Sequence, residues 1–269
     1  KNSEIKVIPN ENKIIGIAKN NFGGVPENFA NYFVVEFDRP FKKSGVWDGK
    51  GNIFSKNHLK GKHVGAYVSF NNEKKETSIY PPIKTQEFYD IIEVKVSSSF
   101  ISHEQAWINL KRELPENKNF SEILSEGRKS WNDELSKIKV ETENTQYGIS
   151  NKTKFYSSFY RTILFPRQFH EYNEDGKQIH YSPYNGKVLD GPLYTDNGFW
   201  DTFRAVFPFY TILYPEKLGE IMQGIMVNPY KESGWLPEWS SPGHRDCMIG
   251  SNSASIIAEA YIKGIENFD

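Results

Sequence analysis

The sequence predicts an α+β multidomain fold, with an antiparallel β-sandwich part followed by a helical part. Three observations carry this. Residues 1–115 hold short β-branched and aromatic runs separated by turn clusters. Two of those runs alternate apolar and polar residues, as half-buried antiparallel strands do. From residue 119 onward the apolar period changes to that of a helix.

The strand candidates are IKVI (5–8), KIIGIAK (13–19), NYFVVEFDRPF (31–41), GAYVSF (65–70) and IIEVKVSSSFIS (91–102). Pro9-Asn10, Gly23-Gly24, Asp48-Gly49-Lys50 and Asn71-Asn72 punctuate them. VVEFD and EVKVSSSF carry the alternation, and strand spacing of roughly 10–20 residues suits a sandwich. In NFSEILSEGRKSWNDELSKIKV (119–140), Ile123, Leu124, Trp131, Leu135 and Ile138 recur at helical spacing behind an N-cap at Asn119 or Ser121. This reads as a charged helix joining two domains. Further helices are expected at 150–165, 199–213, 215–227 and 252–267. Between the first two lies a Gly- and Asn-rich excursion whose Asp175-Gly176 and Asn185-Gly186 signal hairpins. Long loops of this kind build sites more often than cores.

Composition narrows the function classes. Among 269 residues, 33 basic and 34 acidic side chains leave a net charge of −1, no electrostatic reason to expect nucleic acid or an anionic membrane. No apolar run approaches the roughly 20 residues of a membrane span. The aromatic share is 15%, enough to build a core and also to floor a site for an amphipathic ligand such as a sugar. Cys247 is the only cysteine, so no intrachain disulfide forms, and a small buried thiol is its expected role. The opening KNSEIKVIPN has neither Met nor a signal-like segment, and the true start is expected upstream.

Two stretches hold the chemistry. In DNGFWDTFR (196–204), Asp196 or Asn197 is placed to cap a helix, with Asp201 in its first turn and Trp200 and Arg204 four apart on one face. A carboxylate there can accept hydrogen bonds from two adjacent sugar hydroxyls while a ring covers the apolar face of the pyranose. The other reading is a helix start with core rings. The second stretch, residues 234–265, sets Glu238 between Trp235 and Trp239 and follows them with His244-Arg245-Asp246-Cys247. Pro237, Pro242 and Gly243 keep 234–246 from being an ordinary helix, and one is expected to begin near Asn252 with Ala254, Ile257, Ala258 and Tyr261 on one face. So many Trp, Glu and Arg side chains are costly unless paired in packing or turned to a ligand.

Other signals are weak. His244-Arg245-Asp246 lacks the rest of a kinase catalytic loop. The six histidines (58, 63, 103, 170, 180, 244) have no metal-binding spacing, and packing or surface roles are expected even for His170 and His180. Asn119-Phe-Ser121 and Asn151-Lys-Thr153 are glycosylation sequons by pattern only.

FYSSFYRTILFPR (155–167), DNGFWDTFRAVFP (196–208), ESGWLPEWSSPG (232–243) and CMIGSNSASIIAEAYIKGI (247–265) resemble glycoside hydrolase family 92, the calcium-dependent exo-acting α-mannosidases. SHEQAWINLKREL and the helix after it resemble that family's passage from β domain to helical domain, and SEIKVIPNENKIIG the end of its β domain. The resemblance implies an N-terminal sandwich (its later part being 1–117), a linker helix (118–140) and the first part of an (α/α)6 catalytic barrel (141–269). It implies release of terminal mannose from glycans, at α-1,2 linkages, with inversion and with Ca2+ gripping the sugar 2- and 3-hydroxyls. Inversion needs an acid and a base with carboxyls about 6.5–9.5 Å apart.

The family's acid, base and calcium segments have no counterpart in this chain and are expected beyond Asp269. Within 1–269 no catalytic residue and no metal ligand is therefore expected, only part of the sugar site. The resemblance gives Asp201 the hydroxyls of the terminal mannose, Arg245 a second contact, and Trp200, Glu238 and Trp239 the wall. The expected partners are mannose-terminated glycans and the missing remainder of the barrel, in a periplasmic or secreted setting, with no nucleic acid and no membrane span. Half a barrel is expected to leave Phe199, Phe203, Phe207 and Phe209 uncovered and the isolated chain prone to aggregate. Two alternatives stay open: another (α/α)6 glycosidase using carboxylates among Asp201, Glu238 and Asp246, or a non-catalytic glycan-binding or scaffold module.

Overall fold

A computed structural model of the chain describes residues 3–21, 23–71 and 91–269. Asn72, in the second position of the Asn71-Asn72 turn, lies outside the described residues. The chain divides into two compact units, Lys1–Asn21 with Ala30–Asn117, and Phe22–Phe29 with Lys118–Asp269.

The first unit is antiparallel sheet. Its strands are β1 (Ser3–Ile8), β2 (Lys13–Ala18), β3 (Asn31–Phe37), β4 (Lys43–Trp47), β5 (Ile53–Phe54), β6 (His58–Gly61), β7 (Gly65–Ser69) and β8 (Val94–Ser99). They form a five-stranded sheet in the order β6-β1-β2-β3-β8 and a three-stranded sheet β5-β4-β7. Period-two alternation divides the larger sheet into two faces. Ile5, Val7, Ile14, Phe33 and Val35 pack with Val46, Phe54, Ala66 and Val68 of the smaller sheet, which makes the sandwich. Ile15 and Val34, on the opposite face, meet Ala106, Trp107 and Leu110 of α1 (His103–Glu113).

The alternation of EVKVSSSF holds, but its sense is reversed. Val94 and Val96 are exposed, sharing a face with Phe37 and Val35 at the sheet edge, while Ser99 is buried. The inward face of β8 lies under α1 instead, and the Lys95 ammonium donates to the carbonyls of Leu114 and Pro115 just past that helix. Lysine thus serves as a C-cap where a solvent-facing residue was expected.

The second unit begins with α2 (Phe120–Leu135), whose Asn119 and Glu122 form a capping box, and α3 (Gln146–Thr162), capped by Thr145. Short strands follow: β9 (Arg167–Gln168), β10 (Glu171–Tyr172), β11 (Gln178–Tyr181), β12 (Val188–Asp190), β13 (Tyr194–Thr195) and β14 (Asn197–Gly198). The hairpins signalled at Asp175-Gly176 and Asn185-Gly186 join β10, β11 and β12. Then come α4 (Phe199–Thr202), α5 (Val206–Leu213), α6 (Pro215–Met222), a π turn (Gln223–Val227), α7 (Asn228–Ser233), β15 (Trp239–Ser240) and α8 (Asn252–Ile262).

The helix expected at 199–213 is broken at Ala205, which has non-helical φ/ψ. An unbroken helix would drive the Pro208 ring into the carbonyl of Arg204, four residues back. The helix expected at 215–227 runs on to Ser233, because the π turn absorbs Pro229, and Gly234 at φ 82° ends it.

The core of this unit corrects the expectation of bare phenylalanines. Phe199 and Phe207 are fully buried with Tyr210, Leu218, Met222, Ile225, Met226 and Ile256, and Phe203 and Phe209 pack on that cluster. Apolar side chains exposed in this unit include Ile212, Tyr261 and Ile262. Helix α8 likewise turns most of the expected face outward. Ser253, Ile256 and Ala260 point inward and Ala254, Ala258 and Tyr261 outward, and of the expected four only Ile257 packs on the core. Cys247 is exposed rather than buried. Among the described residues, no helix is long and apolar enough to cross a membrane.

Candidate functional site

Two-residue strands bring the two expected stretches together. Strand β14 pairs with β15, setting Asn197 opposite Ser240 and Gly198 opposite Trp239, while β13 pairs with β9. The Phe199 N–H donates to the carbonyl of Glu238 at 3.1 Å, so α4 starts directly from the second stretch. Beyond β15 the chain folds back: the Arg245 N–H donates to the Trp239 carbonyl, and the Ser241 N–H to that of Gly243. Gly243 is required there, since a Cβ would meet Gly24 O at 2.5 Å and Pro183 O at 2.9 Å.

Asp201 projects from α4 into solvent, and its carboxylate has no hydrogen-bond or ion-pair partner among the described residues. Gly198 lies beneath it. A Cβ at Gly198 would sit 3.0 Å from Asp201 Oδ2 and 3.8 Å from Trp239 Cδ1. The carboxylate and the indole therefore flank one bare patch of backbone. Trp239 is 37% exposed and Trp200 43%. The Arg204 guanidinium stacks over Trp200, 4.8 Å from its centroid, and donates to the Trp200 carbonyl, so part of that indole is covered.

The capping role expected of Asp196 or Asn197 falls to neither. Asp196 sits at φ 58° and is held by Arg167 Nη2 at 2.6 Å and by the Ser241 hydroxyl at 2.8 Å. The Asn197 amide donates to Thr202 Oγ1, and the N-cap position is Gly198.

Glu238, expected on the wall, spends its side chain elsewhere. Its Oε2 accepts the Asn252 N–H at 3.0 Å and its Oε1 accepts the Ser253 hydroxyl at 2.6 Å. The local cap residue Ser251 makes no side-chain cap bond, so a carboxylate from another loop caps α8. Arg245 turns its guanidinium to the carbonyl of Gly23, at 3.4 Å. Asp246 is exposed, and His244 is bonded to the Ser233 hydroxyl at 2.9 Å. Burial holds the His244 imidazole below its ordinary value, partly opposed by Asp246.

The other histidines of this region are packing groups. His180 is buried between Gly191 O and Glu232 Oε1, both at 2.9 Å. His170 accepts from the Gln178 amide and faces Leu193 O, and burial depresses it also. Burial pushes the nearby Glu220 carboxyl up, but bonds from Lys217 and Tyr194 outweigh it, and the net shift is downward. Sequence reasoning missed Gly198, the Arg167–Asp196–Ser241 set and the long-range cap. Of these only Gly198 left a signal, a glycine directly before an aromatic helix start.

Among the described residues no three His, Cys, Asp or Glu side chains gather as a metal nest. The carboxylates of Asp196 and Glu238 are already held by protein partners, so this corner does not fit a calcium ion.

Residues 105–269 match the glycosyl hydrolase family 92 catalytic domain, and residues 1–80 the glycosyl hydrolase family 92 N-terminal domain. All of the chain superposes on a family 92 inverting mannosidase from Bacteroides thetaiotaomicron, at TM-score 0.87 and 41% identity, covering 34% of that chain. A family 92 α-mannosidase of the same organism, in complex with mannoimidazole, matches all of the chain at TM-score 0.78 and 24% identity, over 33% of its own length. A further family 92 glycosyl hydrolase gives TM-score 0.73 at 19% identity, with 100% of this chain and 33% of that one covered. These last two likenesses are of fold alone. The chain spans about a third of the length of these proteins. No curated protein matches it.

Proposed function

The chain belongs to glycosyl hydrolase family 92, and from that premise we propose that it forms part of the mannose-binding half of an inverting, exo-acting α-mannosidase. Its fold class, antiparallel sandwich followed by helices, is that of the family structures. The observation that carries the reading is the exposed, unpartnered Asp201 carboxylate beside the Trp239 indole, over the bare backbone of Gly198.

A pyranose has an apolar face and a hydroxyl edge, and this corner has a counterpart for each. Trp239 covers the ring face, and Asp201 accepts from two adjacent hydroxyls. Because Asp201 holds no partner, it loses no protein bond when sugar binds. Trp200, half-covered by Arg204, borders the corner. Arg245 gives one N–H to the Gly23 carbonyl and keeps its other donors, which suit vicinal oxygens, for a second contact. The general acid and base come from parts of the polypeptide outside this chain. Calcium dependence, α-1,2 preference and a periplasmic or secreted setting with mannose-capped glycans as substrate belong to the same proposal.

The test is hydrolysis of an aryl α-mannoside by the full-length polypeptide, with and without EDTA, following the first anomer released by NMR. β-Mannose appearing first, and only without chelator, supports the proposal. Initial α-mannose, or turnover indifferent to chelator, contradicts it.

A further inference from the structure

We infer that Glu238 is a positioning residue, not a sugar contact: by capping α8 it fixes where the Trp239 ring stands relative to Asp201. This rests on the reading of the Asp201–Trp239 corner as the sugar site. Glu238 is the point at which three segments meet. Its carbonyl receives the first N–H of α4, the turn that carries Trp200 and Asp201. Its carboxylate receives the first N–H of α8 and the Ser253 hydroxyl. Its peptide neighbour is Trp239, paired across β14 to Gly198.

The cap is a strong one. Asn252 and Ser253 are buried, so their polar groups lack water as a substitute partner, and the bonds are charge-assisted with the helix dipole in favour. Both ends of α4–Glu238–α8 are anchored in one core, because Phe199 and Ile256 belong to the same buried cluster. With the carboxylate removed, Pro237 and Trp239 are held to α8 by nothing polar at this point. The indole is then free to leave its place over Gly198 while the core persists.

The experiment measures affinity for methyl α-D-mannopyranoside by tryptophan fluorescence, in the full-length polypeptide, for four variants. Glu238→Ala is expected to weaken binding about tenfold. Glu238→Gln keeps an acceptor for the Asn252 N–H, and its amide can donate to Ser253 Oγ, so affinity returns to within about threefold of the parent. Ser253→Ala removes one donor from within a sound helix and gives an intermediate loss; it carries the test if Glu238→Ala does not fold. Asp201→Asn reports on the site itself. If it leaves affinity unchanged, the sugar-site reading fails. If it weakens binding while Glu238→Ala and Ser253→Ala do not, the positioning inference alone fails. A Glu238→Gln loss as large as that of Glu238→Ala, with the unfolding midpoint unchanged, also overturns it, since the charge would then act on the sugar and not through the cap.

Discussion

The stretches 196–204 and 234–246 are built from the same materials, acids beside indoles with an arginine close by, yet their carboxylates have opposite fates. Asp201 stands in solvent with no partner among the described residues, over a glycine. Glu238 is bound at both oxygens by the start of a helix fourteen residues further on. Composition does not separate the two. What separates them is the presence of an unsatisfied helix terminus: α8 has one because Ser251 does not cap it, whereas α4 is a single turn beginning from the Glu238 carbonyl. A carboxylate left over after packing is free to take a ligand, and one enrolled as a cap holds the site together.

The contrast can be broken most severely at Phe199, which belongs to the first stretch and is bonded to the second through the Glu238 carbonyl. Phe199→Ala empties a fully buried site and is expected to cost about 3–5 kcal/mol in denaturant unfolding, with both stretches lost together. Next in size, Glu238→Ala should cost about 1–2 kcal/mol, while Asp201→Ala stays within about 0.5 kcal/mol, since only the first has bonds to lose. Equal costs would erase the distinction. Gly198→Ala sharpens it from the other side: a methyl group intrudes between Asp201 and Trp239, so sugar affinity should fall several-fold while stability changes by less than about 1 kcal/mol.

The smallest effect concerns pH. His244 lies in the second stretch, the first has no histidine, and burial depresses the His244 imidazole from its ordinary 6.5. The unfolded chain therefore takes up the proton first. The stability linked to His244 is complete above its ordinary 6.5 and declines as pH falls toward the lowered folded value. Denaturation midpoints for His244→Asn should show a shallower slope in that window, and substitutions in 196–204 should leave the slope unchanged.

Much of this was legible in the residues. Strands β1, β2, β3, β7 and β8 and the N-cap of α2 at Asn119 follow from alternation, period and cap chemistry. What the sequence hid is non-local. The reversed faces of β8 and α8 depend on which neighbour covers them, and a strand or helix with weak polarity does not declare that. Strands β4, β5 and β6 have too little β-branched content to stand out. Within the site, Asp201 and Trp239 stand out as residue types, but the sequence sets Trp200, not Trp239, beside Asp201. The cap on α8 was not, because nothing in a single sequence links residue 238 to residues 252 and 253.

The most direct measurement is a calorimetric titration of methyl α-D-mannopyranoside into the full-length polypeptide and its Asp201→Asn variant, with unfolding followed in parallel. The expected result is a loss of affinity of about 10- to 100-fold with stability unchanged, the signature of a carboxylate whose partner is the sugar. Undiminished affinity in the variant would contradict the account.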